Sequence, residues 1–424
     1  MTSFNKTILK NGLRVITAPH KDSLAVTLLV LVEAGSKYET KNINGLSHFL
    51  EHMCFKGTKK RPTALAISSE LDGMGAAYNA FTSQEYTGYY AKAEKHHLDK
   101  VIEIVSDLYL NPVFNEKEIE KEKGVIVEEL NMYEDLPPNK VAELFDELLY
   151  GDQPAGWPVG GKKEIIRGLN REDFVKYRQA HYVAGATAVI LAGNFDEKET
   201  IKKLEAAFQD MPVNKKEGKL KTIEKQTKPR ALLFNKKVDQ THLILGCRAF
   251  DAFDERRFAL DVLADALGGG MSSRLFQTVR EKLGAAYYVG ARTSYQTDCG
   301  QLFVKAGIDH TKIDLVLRAI LDEIRDFAEK KISLKELRRA KDHLGGNLIL
   351  ELETSDAQAV FYGGQEILTK SLMAPEDILK KIQAVTAEDI LKIAKDIFKN
   401  NRLNLAIIGP MKEVKELEKN LSFS

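Results

Sequence analysis

The stretch His48-Phe49-Leu50-Glu51-His52 decides how the rest of the chain is read, and it lies in an apolar, helix-patterned segment from Leu46 to Phe55. Residues four apart share one face of a helix, so His48 and His52 can aim two imidazoles at a single ion, with Glu51 beside them. Neutral imidazoles suit zinc. A catalytic zinc takes three protein ligands and keeps its fourth position open, and a neighbouring glutamate can accept a proton from water there. The order His-x-x-Glu-His inverts the commoner His-Glu-x-x-His. A structural zinc site would close the shell with a fourth protein ligand, for which the sequence offers no candidate.

A third ligand is expected between Glu116 and Tyr133. There Glu122, Val125, Ile126, Glu129, Met132 and Tyr133 follow the spacing of a buried helical stripe. Glu128 falls on the solvent side with Lys121, Gly124 and Asp135. An inward carboxylate is costly unless paired or metal-bound, which selects Glu129 over Glu128 as the ligand and leaves Glu122 as a partner supporting the ligands.

These residues resemble the pitrilysin family of inverted-motif zinc peptidases, which includes insulin-degrading enzyme and, among the short two-domain forms, the mitochondrial processing peptidases and bacterial processing proteases. The likeness is carried by His48-Phe-Leu-Glu-His52 and by Glu122 followed by Glu129. It continues in Asn79-Ala-Phe-Thr-Ser-Gln-Glu85 and in Ser273-Arg-Leu-Phe-Gln-Thr-Val-Arg280-Glu-Lys-Leu-Gly-Ala-Ala-Tyr287, and it extends over nearly the whole chain. The resemblance implies one zinc ion per chain on His48, His52 and Glu129, with Glu51 as general base and Glu122 assisting catalysis. It implies that the segment of Asn79 and Ala80 binds substrate, and that Arg280 and Tyr287 grip it from the second half. Family members of this length work as dimers. A homodimer is therefore expected, with a heterodimer containing a metal-less paralogue as the other arrangement.

Outward from the motif, composition narrows the class. A chain of 424 residues, 44% hydrophobic and 29% charged, is a soluble globular protein of two or more domains. Lys+Arg 62 against Asp+Glu 61 gives a net charge of +1, so no basic field calls for nucleic acid. Cys54, Cys247 and Cys299 never form a Cys-x-x-Cys pair, which argues against a disulfide framework or a cysteine metal site. Cys54 lies about 200° round the helix from His52 and reads as a small core residue. The longest apolar run, Leu24 to Val32, is strand-length and too short to span a bilayer, so no membrane anchor and a cytoplasmic location are expected.

In chain order, Asn11-Gly12 predicts a type I′ hairpin, and Leu24 to Val32 a buried strand against which the motif helix packs. A helix from Pro62 to Leu71 leads to strands at Ala76 to Ser83 and Tyr86 to Lys92. The small residues of Ala76-Ala77-Tyr78-Asn79-Ala80 would let another backbone approach, as a platform where an extended peptide adds as a strand. Helices follow at Leu98 to Tyr109, Glu116 to Tyr133, after Pro137-Pro138, Glu172 to Tyr182 and Lys198 to Phe208, with a strand at Ala186 to Ala192. Trp157, in the Gly/Pro-rich loop Gly151 to Gly161, reads as a packing anchor.

Met211 to Arg230 holds seven Lys/Arg, two Glu and two Pro with little apolar periodicity, the pattern of a solvated linker. Beyond it the chain repeats itself. Gly75-Ala-Ala-Tyr78 recurs as Gly284-Ala-Ala-Tyr287, the strand ending at Gly193 recurs as Leu403 to Gly409, and Asn347 falls opposite Glu129. The second half has no His-x-x-Glu-His; a helix Ser272 to Lys282 after Gly268-Gly-Gly270 carries Arg280.

The expected fold is α+β: two homologous α/β sandwich domains, 1–210 with the metal and 231–424 without it, each a mostly antiparallel sheet packed with helices, joined by a linker at 211–230. The expected function is zinc-dependent endoproteolysis of extended peptides or unfolded polypeptides inside an enclosed chamber. A dedicated presequence peptidase with the same chemistry and a catalytically silent scaffold subunit are the alternatives.

Overall fold

The computed structural model describes residues 4–411, 413, 417–418 and 421–423. They form two compact units. The first takes the described residues up to Leu130 with Trp157–Leu220 and Leu350–Ala374; the second takes Asn131–Gly156, Lys221–Ile349 and the described residues from Pro375 onward.

In the first unit, β1 (Asn5–Ile8), β2 (Arg14–Pro19), β3 (Ala25–Val32), β4 (Ala77–Thr82), β5 (Thr87–Glu94) and β6 (Thr187–Gly193) make one sheet in the order β1-β2-β6-β3-β5-β4. Only β2 and β6 run parallel. The β1–β2 connection departs from the expected two-residue turn: Leu9 N donates to Leu13 O, and of Asn11 and Gly12 only Gly12 has a positive φ, +87°. This is a three-residue loop closed by a glycine bulge. Asn11 is drawn elsewhere, its Nδ2 donating to Phe208 O at 2.9 Å and its Oδ1 accepting from Leu13 N at 3.1 Å.

β3 is apolar except at Thr27, whose hydroxyl bonds Ser355 at 2.8 Å, because both its faces are covered. Under one face lie Leu46, Phe49, Leu50 and Met53 of the motif helix, Leu46–Cys54. Against the other lie Ala359, Tyr362 and Ile367 of the helix Ser355–Thr369. A Cβ on Gly363 would come within 2.7 Å of Leu31 Cδ1, so this helix sits close on the sheet. Buried Arg14 pairs with Glu33 at 3.0 Å and with Glu366 at 3.2 Å, tying the same helix to β2.

In the second unit, β7 (Arg230–Asn235), β8 (Thr241–Ala249), β9 (Ala286–Tyr295), β10 (Gly300–Ile308) and β11 (Asn404–Gly409) are ordered β7-β11-β8-β10-β9, with only β7 and β11 parallel. The order and the parallel pair repeat β2-β6-β3-β5-β4, which is the duplication seen in the sequence. Val141, Leu144, Phe145 and Leu149 of the helix Pro137–Tyr150 cover Ile244, Ala406 and Ile408 on this sheet.

The linear division at 210 and 231 is therefore corrected. Each sheet is apolar on both faces, and one face of each is covered by a helix from the other half of the sequence. The basic run also differs from a solvated linker: it divides between the units at Leu220, and Lys216 and Lys219 pair with the buried carboxylates of Glu33 and Glu85. The helix expected over Ser272 to Lys282 is a π-helix over Phe276–Lys282. Among the described residues, no helix is long and apolar enough to cross a membrane.

Candidate metal centre

The motif helix starts without a capping side chain of its own, because its first position is taken by Gly45 at φ +98°. A Cβ there would meet Gly160 O at 2.7 Å, so the turn needs glycine. The cap comes from Glu39, which is buried and accepts from Gly45 N at 2.8 Å, Ser47 N at 2.6 Å and Asn44 Nδ2 at 3.0 Å. Helix N-termini leave N–H groups unpaired and favour negative charge. Burial raises the Glu39 pKa, and the bonds from Ser47 and Gly45 oppose that rise.

The carboxylate that faces the two histidines comes from the helix Glu116–Asp135. Its buried face is Ile119, Glu122, Ile126 and Leu130, which corrects the expected stripe: Val125 and Met132 are half exposed, at 52% and 50%. The stripe is rotated so that Ile119, Ile126 and Leu130 meet the core while Glu129 lies at its margin. Glu128 faces solvent, as its spacing implies.

His48 Nε2 and His52 Nε2 stand 3.2 Å apart. Glu129 Oε1 is 3.7 Å from the first and Glu129 Oε2 is 3.5 Å from the second. A tetrahedral ion with bonds of about 2.0–2.1 Å holds its ligand atoms roughly 3.3–3.5 Å apart, so this donor set fits zinc. The ligand atoms of the three residues lie within 4.8 Å of one another, close enough to share one ion. Burial, with the neighbouring His52, lowers the His48 pKa to about 4, which keeps it a neutral donor. At His52, burial pulls the pKa down, but the hydrogen bond to Glu122 and the nearby carboxylates outweigh it and the net shift is upward. His52 Nδ1 meets Glu122 Oε1 at 2.9 Å, and Lys56 Nζ meets Glu122 Oε2 at 2.6 Å. For Glu122 burial acts to raise the pKa; the bonds from His52 and Lys56 prevail and lower it.

Glu51 is held by Thr82, whose Oγ1 donates to Glu51 Oε2 at 2.6 Å. Burial raises the Glu51 pKa against the Thr82 bond and the charge of His52, in the direction that suits a general base. Thr82 ends β4, the sheet's edge. Ser83 N bonds Tyr86 O across the β4–β5 turn, and antiparallel pairs alternate, so the N–H and C=O of Tyr78, Ala80 and Thr82 point away from β5. Asn79 is exposed, and its Oδ1 accepts from Ala80 N at 2.9 Å.

Arg280 and Tyr287 come together in the second unit. Arg280 NH1 donates to Tyr287 O at 2.7 Å and its guanidinium lies 5.9 Å from the Tyr287 ring, which is 72% exposed. Asn347 Nδ2 lies 3.3 Å from His343 Nε2, and His343 Nδ1 is 2.7 Å from Asp265 Oδ1, a hydrogen-bonded group in the second unit. Burial pushes the Cys54 thiol up to about 12, consistent with an inert core residue.

Sequence reasoning missed Glu39, Lys56 and Thr82. Lys56 continues the four-residue row His48–His52, a signal that was present; Glu39 and Thr82 reach the motif helix only through tertiary contact.

Residues 14–163 match the family model described as insulinase (peptidase family M16), and residues 168–344 match the peptidase M16 inactive domain. An uncharacterized zinc protease of Streptomyces coelicolor is 37% identical over 420 residues, covering 96% of this chain and 90% of that protein. The uncharacterized zinc protease YmxG of Bacillus subtilis is 34% identical over 401 residues, covering 95% and 97%. A protease of known structure from Helicobacter pylori has the same fold, with a TM-score of 0.89 at 22% identity over 96% of this chain and 100% of its own. The first unit thus carries a His-x-x-Glu-His motif and a donor set that could hold a metal ion. The chain belongs to the M16 peptidase family, and its relatives in Streptomyces and Bacillus carry the name zinc protease.

Proposed function

We propose that this chain is a zinc-dependent endopeptidase that cuts extended peptides or unfolded polypeptides. The observation that carries the reading is the convergence of His48, His52 and Glu129, whose ligand atoms lie within 4.8 Å of one another, beside a glutamate fastened to an open strand edge. Zinc, when bound by these three, supplies a Lewis acid that polarises the scissile carbonyl and makes water more acidic. Glu51 takes the proton of the attacking water and returns it to the leaving nitrogen. Thr82 occupies Oε2, which leaves Oε1 for that transfer. The outward groups of Tyr78 and Ala80 on β4 pair with the substrate backbone, which selects extended chains irrespective of sequence. Asn79 releases Ala80 N–H as the peptide docks.

Arg280 and Tyr287 belong to this proposal as donors to the substrate carbonyl, a role drawn from the family resemblance. So does assembly as a homodimer or with a metal-less paralogue, which the mass in solution decides.

The test is hydrolysis of a quenched fluorescent unstructured peptide. Cleavage abolished by a chelator, and reduced about 10²- to 10⁴-fold in Glu51→Gln at full zinc content, is expected. A wild type that binds one zinc yet cleaves no peptide, alone or with a paralogue, favours the silent subunit.

A further inference from the structure

Lys56 lies just beyond the motif helix, its backbone N–H donating to Met53 O at 3.2 Å, and none of the roles assigned so far requires it. Its side chain turns back to Glu122. The two oxygens of that carboxylate, whose side chain is only 5% exposed, are thus held from the motif helix and the turn that follows it, Oε1 by His52 and Oε2 by Lys56. A carboxylate held at one oxygen can rotate about its terminal bond. Held at both, it presents a fixed acceptor to His52 Nδ1.

We propose that Lys56 is a positioning residue for the metal. By clamping Glu122 it keeps the proton of His52 on Nδ1 and the lone pair of Nε2 toward His48 and Glu129. It also ties together the two helices that supply the ligands, since Glu129 lies two turns beyond Glu122 on the same helix. The alternative is an ordinary interhelical ion pair, which would steady the fold without regard to zinc. The inference rests on the zinc reading above.

The test compares wild type, Lys56→Met, Lys56→Arg, Glu122→Gln and the double variant Lys56→Met/Glu122→Gln. Two quantities are read: zinc affinity by competition with a chromogenic chelator, and the thermal midpoint of the zinc-free protein. Lys56→Met keeps most of the stem and loses the charge, so it should bind zinc about 10- to 100-fold more weakly while the zinc-free midpoint stays near wild type. Lys56→Arg should restore most of the affinity. In the Glu122→Gln background the same Lys56→Met change should matter little, because the group it acts through is altered. Wild-type zinc affinity in Lys56→Met overturns the proposal. So does a loss that is undiminished in the Glu122→Gln background, or one that only tracks a fall in the zinc-free midpoint. A wild type that takes up no zinc refutes the metal reading itself, and this inference with it.

Discussion

Thr82 and Glu51 are joined by a 2.6 Å hydrogen bond from the threonine hydroxyl to Oε2 of the carboxylate. It connects the last residue of an edge strand to Glu51 of the motif helix, so the surface on which a peptide would lie and the group proposed to act on it are positioned together. Thr82 is also paired with Thr87 in the β4–β5 register, and Thr87 Oγ1 donates to Ala34 O at 2.9 Å. The strand end is thereby anchored to the loop that leaves β3.

Thr82→Val should therefore lower kcat by about 10- to 100-fold, the cost of letting a reacting group drift by about an ångström. Zinc content should be unchanged, and Thr82→Ser should keep most of the activity. Peptide hydrolysis read beside metal analysis checks this; wild-type kcat in Thr82→Val would show that Glu51 needs no such restraint.

Glu39 gives a second prediction. It closes the N-terminus of the motif helix through two backbone N–H groups and the Asn44 amide. Glu39→Ala leaves buried donors without partners and should destabilise the zinc-free protein by about 2–4 kcal/mol. Glu39→Gln retains an acceptor oxygen and should cost less. Denaturant unfolding of zinc-free protein measures both, and equal losses in the two variants would mean that charge, rather than hydrogen bonding, is what Glu39 contributes.

What can be read in advance follows from how locally each feature is encoded. His48, Glu51 and His52 declare themselves because metal chemistry restricts the residue types and one helix turn fixes their spacing. Glu129 is separable from Glu128 because only one of two adjacent carboxylates can face inward on a helix. Val125 and Met132 are misplaced by the same periodicity, since an apolar residue fits the stripe whether or not anything packs on it. The exchange of the helices Pro137–Tyr150 and Ser355–Thr369 has no local signature. An amphipathic pattern tells that a face is buried, not which sheet buries it. Lys56 could be found from its spacing to His52, whereas Thr82 becomes meaningful only when β4 is laid beside the motif helix.

A third prediction concerns pH. Asp146, on the helix Pro137–Tyr150, accepts from Gln301 Nε2 at 3.2 Å, and burial raises its carboxyl to about 7, opposed by that bond and assisted by Glu143. The folded state therefore keeps a proton that the unfolded chain releases near pH 4. Between about pH 4 and about pH 7 the Asp146 contribution to stability falls as pH rises; it is fully present below that window and lost above it. Asp146→Asn should flatten this dependence and be the more stable form at pH 8 by a few kcal/mol, each tenfold change in proton affinity being worth about 1.4 kcal/mol. Unfolding curves of the two proteins from pH 4 to 8 provide the check, and parallel pH profiles would exclude the effect.

Among the described residues, the groups of His, Cys, Asp and Glu that could hold a metal ion reduce to His48, His52 and Glu129 of the first unit. Where the first unit converges two imidazoles and a carboxylate, the second has His343 bonded through Nδ1 to Asp265 and through Nε2 to Asn347. Both ring nitrogens are occupied by protein groups, and the amide of Asn347 stands opposite Glu129. A Cβ on Gly270 would lie 3.2 Å from the His343 ring, and one on Gly269 would collide with Asp265, so the triglycine turn wraps closely round this pair. The contact that a metal would make between helices is here made by hydrogen bonds through His343. His343→Ala should thus leave zinc at one ion per chain and lower stability, whereas His52→Ala should abolish binding. Metal analysis of the two variants after dialysis distinguishes them: loss of zinc in His343→Ala would place a metal in the second unit, and retention in His52→Ala would remove it from the first.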